Sequence, residues 1–408
     1  MPRKSPRFPA IVFVVLALAG GLALVQMGRH RVQANDAIRG VSAQNACTSA
    51  RANVGPPRTA SGSQHASAVI LRLDYAGAEA LINALERDAL SDADVDSLLR
   101  IPGLCAVVAN VPRFFPQIGV SEFRNEIREF ARTKKGGKYD GYFRLGDVWQ
   151  SRSTVRTLIA AIQTNERTIV DETLAQLERY RPDSGTLAIT AYFVAGGVSD
   201  GFAFENDPRS FYANLVTADG DLNGVVLNMA HEAYHVMQVR AQVRTGINPL
   251  WLSTDTMPPV ERLFAGTLAE GTATYAADPT RSTATGSNME SARQRYRRNS
   301  EPKRIAENFA RFDAVLMGLR RGRMTWEKAY MEGFTSDNDA SFYFVGYEMA
   351  RALERYCGRE CIGQLFEEQP IEFFRRYIAL SHKHAELSGR FSRETEAFIA
   401  SYRAKPTN

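Results

Sequence analysis

The sequence predicts an α+β chain, mainly helical with a small mixed β-sheet. Three observations predict it. Apolar residues recur at helical spacing through the first half and again through the last third. A short β-rich block interrupts them near residue 190. A long helical segment follows that block, its apolar and polar residues on opposite faces.

Residues 35–67 are polar and small, with Pro56-Pro57 and Ser61-Gly62-Ser63, and read as a flexible tether. Globular patterning begins near Val69 and runs through 68–400. Ala78, Leu81, Ile82 and Leu85 share one helical face. Ser91 with Asp94 is a capped helix start leading into Val95, Leu98 and Leu99. Val155, Leu158, Ile159 and Ile162, then Ile169 to Leu177, repeat the helical spacing, so 68–185 is expected to be helical. Leu187 to Val194 is β-rich and ends at Gly196-Gly197, with Ser199-Asp200-Gly201 as a turn. Phe211 to Thr217 is a second strand, and 186–278 holds the sheet and the two helices described next. Residues 279–303 are rich in Ser, Thr and Arg and read as an exposed loop, with the run Arg293 to Arg298 as solvated surface. Helices are expected over Asp313–Leu319, Tyr343–Tyr356 and Cys361–His382, within a helical part 304–400. No internal repeat is present.

The segment from Asp221 to Arg244 reads as one helix, with Asp221 as N-cap and Gly246 beyond its end. Leu222, Val225, Val226, Met229, Ala233, Val236 and Met237 form its apolar face. His231 and His235 lie opposite, with Asn228 and Gln238 beside them. His231-Glu232-Ala233-Tyr234-His235 is an HExxH motif, and the chain has only six histidines. Two imidazoles one turn apart can bind one zinc ion, and the intervening glutamate can act as general base on a water.

Catalytic zinc takes three protein ligands. His30 lies in the leader and His65 in the tether; His382 and His384 are far downstream, and no HExxHxxGxxH continuation exists. Glu270 is the better third ligand, on a helix expected over Pro259 to Ala277; Asp255 and Glu261 are the alternatives. Gly266, Ala269, Gly271 and Ala273 would let that helix approach the metal helix closely. Tyr343 and Tyr347, at i and i+4, are candidates to stabilise charge on a carbonyl oxygen, with Tyr343 retained and His382 and His384 behind it. Both tyrosine rings are equally suited to core packing.

The HEAYH helix followed by Glu270-Gly271-Thr272-Ala273-Thr274-Tyr275 resembles the gluzincin metallopeptidases, typified by thermolysin and the zinc aminopeptidases. It looks closest to bacterial families known only by a zinc-dependent peptidase description. The specific core of the likeness covers about 231–275, and a looser one runs from about 187 to about 380. The resemblance implies a zincin-like fold of two lobes around a cleft, one Zn2+ per chain on His231, His235 and Glu270, and Glu232 as base. It also implies a sheet edge that holds extended peptide by main-chain hydrogen bonds. Thirty-four residues separate His235 from Glu270, longer than the usual gluzincin gap, and no GxMEN exopeptidase motif precedes the metal helix.

The formal net charge is +5, yet residues 1–34 carry Arg3, Lys4, Arg7, Arg29 and Arg31 with no acidic residue. The remainder is neutral, which argues against a nucleic-acid partner. The apolar run Ile11 to Met27, behind a basic start, reads as either a signal peptide or an N-terminal membrane anchor within 1–34. Both place the chain outside the cytoplasm, periplasmic or anchored facing outward. Four cysteines fit one or two disulfides in that compartment and allow three full pairings; Cys357 and Cys361 are close enough in sequence to bridge locally, and Cys47 with Cys105 would then be the second. The expected activity is zinc-dependent hydrolysis of peptide or protein substrates. The alternative is an exported binding or scaffold module that keeps the fold without turnover.

Overall fold

A computed structural model describes residues 69–180, 187–248, 257–335 and 338–403. The leader, the tether, Cys47, Asp255 and any membrane anchor lie outside the described residues. Among those described, no single helix is long and apolar enough to cross a membrane.

The fold is mostly helical around a small mixed sheet, as the patterning predicts. Strand β1 (Val69–Asp74) is followed by seven helices: α1 (Ala76–Glu86), α2 (Asp92–Leu99), α3 (Pro102–Asn110), α4 (Val120–Thr133), α5 (Asp140–Phe143), α6 (Leu145–Thr164) and α7 (Glu166–Leu177). Strands β2 (Leu187–Val194), β3 (Gly201–Ala203) and β4 (Ser210–Asn214) come next. Then follow α8 (Leu222–Arg244), α9 (Pro259–Ala276), α10 (Ser287–Asn299), α11 (Pro302–Arg320), α12 (Trp326–Phe334), α13 (Ser341–Cys357), α14 (Glu360–Gln364), α15 (Pro370–Lys383) and α16 (Arg393–Ser401).

The sheet order is β1-β2-β4-β3. β1 and β2 pair in parallel with Val69 opposite Leu187, β2 and β4 in parallel with Ala191 opposite Phe211, and β3 antiparallel to β4 with Phe202 opposite Tyr212. β2 and β4 are almost wholly buried, so they read as apolar runs rather than alternating ones. The part expected to be mainly helical thus opens with a strand, too short and too near the tether to stand out by pattern.

One continuous apolar core joins the N-terminal and C-terminal helices through the sheet. A smaller cluster, including Val107, Tyr192, Phe202, Phe204 and Tyr212, packs α3 against β2, β3 and β4. Ser91 caps α2 in a reciprocal capping box with Asp94, as the sequence predicts. Asp221 caps α8 by accepting from Gly224 N, and it also accepts the main-chain amides of Asn288 and Met289 in the first turn of α10. One carboxylate therefore starts two helices.

Residues 279–303 are not an exposed loop. After a short 3₁₀ turn, Ser287–Asn299 is helical, with Met289, Ala292, Arg293, Tyr296 and Asn299 buried. Arg293 is buried because its guanidinium donates to the carbonyls of Pro279, Ser282 and Ala284. Gln294, Arg297 and Arg298 are the exposed residues of that run. The span Cys361–His382 is likewise not one helix: Pro370 has no N–H to continue a ladder and instead begins α15.

Gly271 on α9 meets α13, not α8. A Cβ there would overlap the backbone of Gly346, and one on Gly346 would overlap Thr267 O. The α9 and α13 backbones touch at this pair of glycines.

Candidate metal centre and cleft

α8 carries His231, Glu232 and His235 through the middle of the molecule. Its surroundings are less one-sided than the apolar face alone suggests, since Ala230, Tyr234, Gln238, Val239 and Gln242 are buried as well. α9 runs alongside and brings Glu270 to the two imidazoles. His231 Nε2 and His235 Nε2 are each 3.3 Å from Glu270 Oε2, and 3.2 Å from one another. The potential donor atoms of His231, His235 and Glu270 all lie within 4.8 Å of one another.

These distances fit a zinc ion. Bonds of about 2.0–2.1 Å at tetrahedral angles separate ligand atoms by about 3.3 Å. The chemistry of the donors agrees. Gln238 Nε2 donates to Ala269 O at 2.8 Å and to Thr272 Oγ1 at 2.9 Å. Its amide orientation is thereby fixed, and its Oε1 faces His235 Nδ1 at 2.8 Å. His235 must donate from Nδ1, so in the neutral ring Nε2 presents a lone pair to the other two donors. The Gln238 amide, bridging α8 and α9, thus sets the tautomer that a metal ligand requires.

Burial penalises every charge in this cluster. It pushes His231 below the usual imidazole range and Glu232 up to about 8; Glu270 and Asp200 add to the Glu232 rise, while His235 and Arg113 oppose it. Burial also works against protonated His235, but the Glu270 and Glu232 carboxylates and the bond to Gln238 outweigh it and raise this ring to about 9. Burial would lift Glu270 too, yet the two imidazoles hold it well below the usual carboxylate range. The trio therefore holds a proton on His235, where a zinc ion would displace it.

A cleft of about 230 Å3 opens over these residues. Its floor is α8 and α9. One wall runs from Asn110 to Phe114 and through Ser199–Ala203 and Glu205; the other is formed by α10, α12 and α13. Gly201, on the edge strand β3, lies directly over the base: a Cβ there would sit 2.7 Å from both Glu232 Oε1 and Asn228 Oδ1. Asn228 in turn donates to Asp200 O at 3.0 Å. Burial lifts the Asp200 carboxyl to about 6.

Tyr343 lines the cleft, its ring stacked with His231 at 6.3 Å between centroids. Its hydroxyl makes no hydrogen bond to a described residue, and burial pushes it well above the usual phenol range. Tyr347 is placed differently. It donates to Asp278 Oδ2 at 2.7 Å and packs on Tyr275 and Tyr296, which is a structural position. His382 pairs with Glu396 and His384 stacks on Tyr356, and neither lines the cleft. Glu261 lies two and a half turns before Glu270 and accepts from Tyr402.

Sequence reasoning missed Tyr330, Arg113 and Arg295, all of which line the cleft. Arg295 was legible in principle, because Met289, Ala292, Tyr296 and Asn299 recur at helical spacing and place α10 against the core. Tyr330 and Arg113 carried no such signal.

A family model described as putative zinc dependent peptidase (DUF5700) matches residues 95–386, well over half of the chain and including all four motif and ligand positions. No curated protein and no solved structure matches the chain.

Proposed function

The chain belongs to that family, and from this premise we propose that it is a gluzincin-type zinc metallopeptidase that hydrolyses peptide bonds. The observation that carries the reading is the triangle of His231 Nε2, His235 Nε2 and Glu270 Oε2, at 3.2 and 3.3 Å, beside a buried glutamate on the same helix. One zinc ion held there supplies Lewis acidity that activates water and polarises a carbonyl.

The side chains around it have distinct tasks. Glu232 takes the proton of the attacking water and delivers it to the leaving amine. Gln238 holds His235 in its ligating tautomer. Tyr343 offers its unengaged hydroxyl to the carbonyl oxygen as charge develops. The outer edge of β3 offers main-chain groups to an extended peptide, and Gly201 lets that strand lie close over Glu232.

The protein acts outside the cytoplasm, a reading supported by the basic and apolar leader together with the disulfides. Cys357 and Cys361 are bridged, and Cys105 is also disulfide-bonded, its expected partner Cys47 lying outside the described residues.

Elemental mass spectrometry of the dialysed protein should find about one zinc per chain. Glu232→Gln should keep that zinc and lose hydrolysis of a peptide library. Hydrolysis by the variant at the wild-type rate would remove Glu232 from the mechanism. A protein that takes up no zinc would remove the metal centre itself.

A further inference from the structure

Two guanidinium groups border the cleft, and one of them is ion-paired into the wall. Arg113 donates to Asn110 Oδ1 at 3.3 Å, to Ala203 O at 3.1 Å and to Glu205 Oε2 at 2.7 Å, so it buttresses the β3 wall. Arg295, on the opposite wall, has a different set of contacts. Its Nη2 donates to the main-chain oxygen of Asp339 at 3.2 Å. Its Nε is buried without a hydrogen-bond partner, although Asp339 Oδ1 is 3.4 Å away. Its Nη1 makes no hydrogen bond to a described residue.

Asp339 does not neutralise this corner. Arg298 engages both of its carboxylate oxygens at 2.9–3.1 Å, Asn299 donates to it at 2.8 Å, and Arg304 lies 4.0 Å away. Arg304 is closer to Glu307, at 3.4 Å, so Arg295 and Arg298 are the two guanidinium groups that share the Asp339 carboxylate, which leaves a positive excess at this end of the cleft.

The donor is also held in place. The guanidinium carbon of Arg295 lies 5.2 Å from the Phe344 ring centroid. Next to it on α10, Tyr296 donates to Thr274 O on α9 at 2.9 Å, and Asp221 anchors the helix start. Phe344 adjoins Tyr343, whose ring stacks with His231. A planar cation with an unengaged donor therefore faces the cleft at a fixed offset from the metal ligands.

We propose that Arg295 is a specificity residue that binds a carboxylate of the substrate, from the peptide's C-terminus or from an acidic side chain. A guanidinium fork matches a carboxylate in geometry and charge. Arg113 has its charge already matched by Glu205 at 2.7 Å and is committed to the β3 wall. The inference rests on the metallopeptidase reading and adds its substrate class: peptides that carry a carboxylate close to the scissile bond.

The test uses matched peptides on the zinc-loaded full chain, each with a free or amidated C-terminus and with Glu or Gln at positions flanking the cleaved bond. Neutralising the recognised carboxylate should raise KM about ten- to hundred-fold, the range of a charge-assisted hydrogen bond. Sensitivity to amidation identifies the C-terminus as the source; sensitivity to Gln identifies a side chain. Arg295→Met should lose the discrimination, and Arg295→Lys should keep part of it. In parallel, calorimetry on Glu232→Gln should show the acidic peptide binding more tightly than its neutral partner, and Glu232→Gln with Arg295→Met should not. Equal handling of acidic and neutral peptides by the wild type, or discrimination unchanged in Arg295→Met, overturns the proposal while leaving the peptidase reading intact. Hydrolysis of no peptide at all counts against the peptidase reading, and the calorimetric comparison then decides Arg295 alone.

Discussion

Replacing Gln238 by leucine should weaken zinc binding without touching a ligand. The side chain is buried, and its three hydrogen bonds divide into two tasks. Oε1 receives the Nδ1 proton of His235 at 2.8 Å, and Nε2 ties α8 to Ala269 O and Thr272 Oγ1 on α9. Leucine fills much of the same space but offers no acceptor. His235 can then carry its proton on Nε2, the atom that must ligate. Loss of such an outer contact lowers metal affinity about 10- to 100-fold, or about 1.4–2.8 kcal/mol. Competition with a chromophoric chelator measures this directly. Gln238→Glu separates the two tasks. It keeps an acceptor for His235, so zinc affinity should hold, but it sets an oxygen 2.8 Å from Ala269 O, so the melting temperature should fall. Zinc affinity of Gln238→Leu within twofold of wild type would refute the claim that Gln238 sets the tautomer of a ligand.

Three further outcomes follow from the same geometry. Gly201→Ala should lower kcat about tenfold or more with zinc content unchanged, because a Cβ 2.7 Å from Glu232 Oε1 displaces the base; wild-type kcat in that variant would place the base elsewhere. Glu270→Gln should cost at least about 100-fold in zinc affinity, whereas Glu261→Gln should leave it unchanged, and the reverse pattern would exchange their roles. In chelator, stability should fall as pH rises from about 6.5 to about 9. His235, raised to about 9, contributes stability that is present below its unfolded value and lost as pH climbs through its folded one, and Glu232, raised to about 8, favours the same direction from about 4.5 upward. Thermal melts across that range should show the decline, and zinc affinity should rise as the His235 proton leaves; a metal-free melting temperature that increases toward pH 9 would contradict the assignment.

Much of this was legible in the sequence where local rules dominate. The cap at Ser91, the start of α8 at Asp221 and the strand Leu187–Val194 depend on neighbours a few residues away, and pattern alone locates them. HExxH encodes its geometry in one helical turn. Glu270 lies on a helix that begins at a proline and could be named as a ligand candidate, but its arrival at the imidazoles is a tertiary fact. The parts that stayed hidden depend on long-range contacts. Gly271 looked suited to the metal helix, yet its close neighbour is Gly346, seventy-five residues on. Arg293 and Arg295 looked like solvated charge because a run of arginines gives no sign that one will bond three carbonyls and the next will face a cleft. Tyr343 and Tyr347 were equivalent by spacing, and only Asp278, reached through a different chain segment, tells them apart.

The glycine pair between α9 and α13 has a mechanical consequence. Gly271 follows the ligand Glu270 directly, and Gly346 lies one turn beyond Tyr343, so main chain bears on main chain beside both functional groups. Side-chain packing yields by rotamer changes, but two apposed backbones have no such compliance. The separation of Glu270 from Tyr343 is therefore gauged by the thickness of the peptide chain itself. This joint keeps the same spacing whatever enters the cleft.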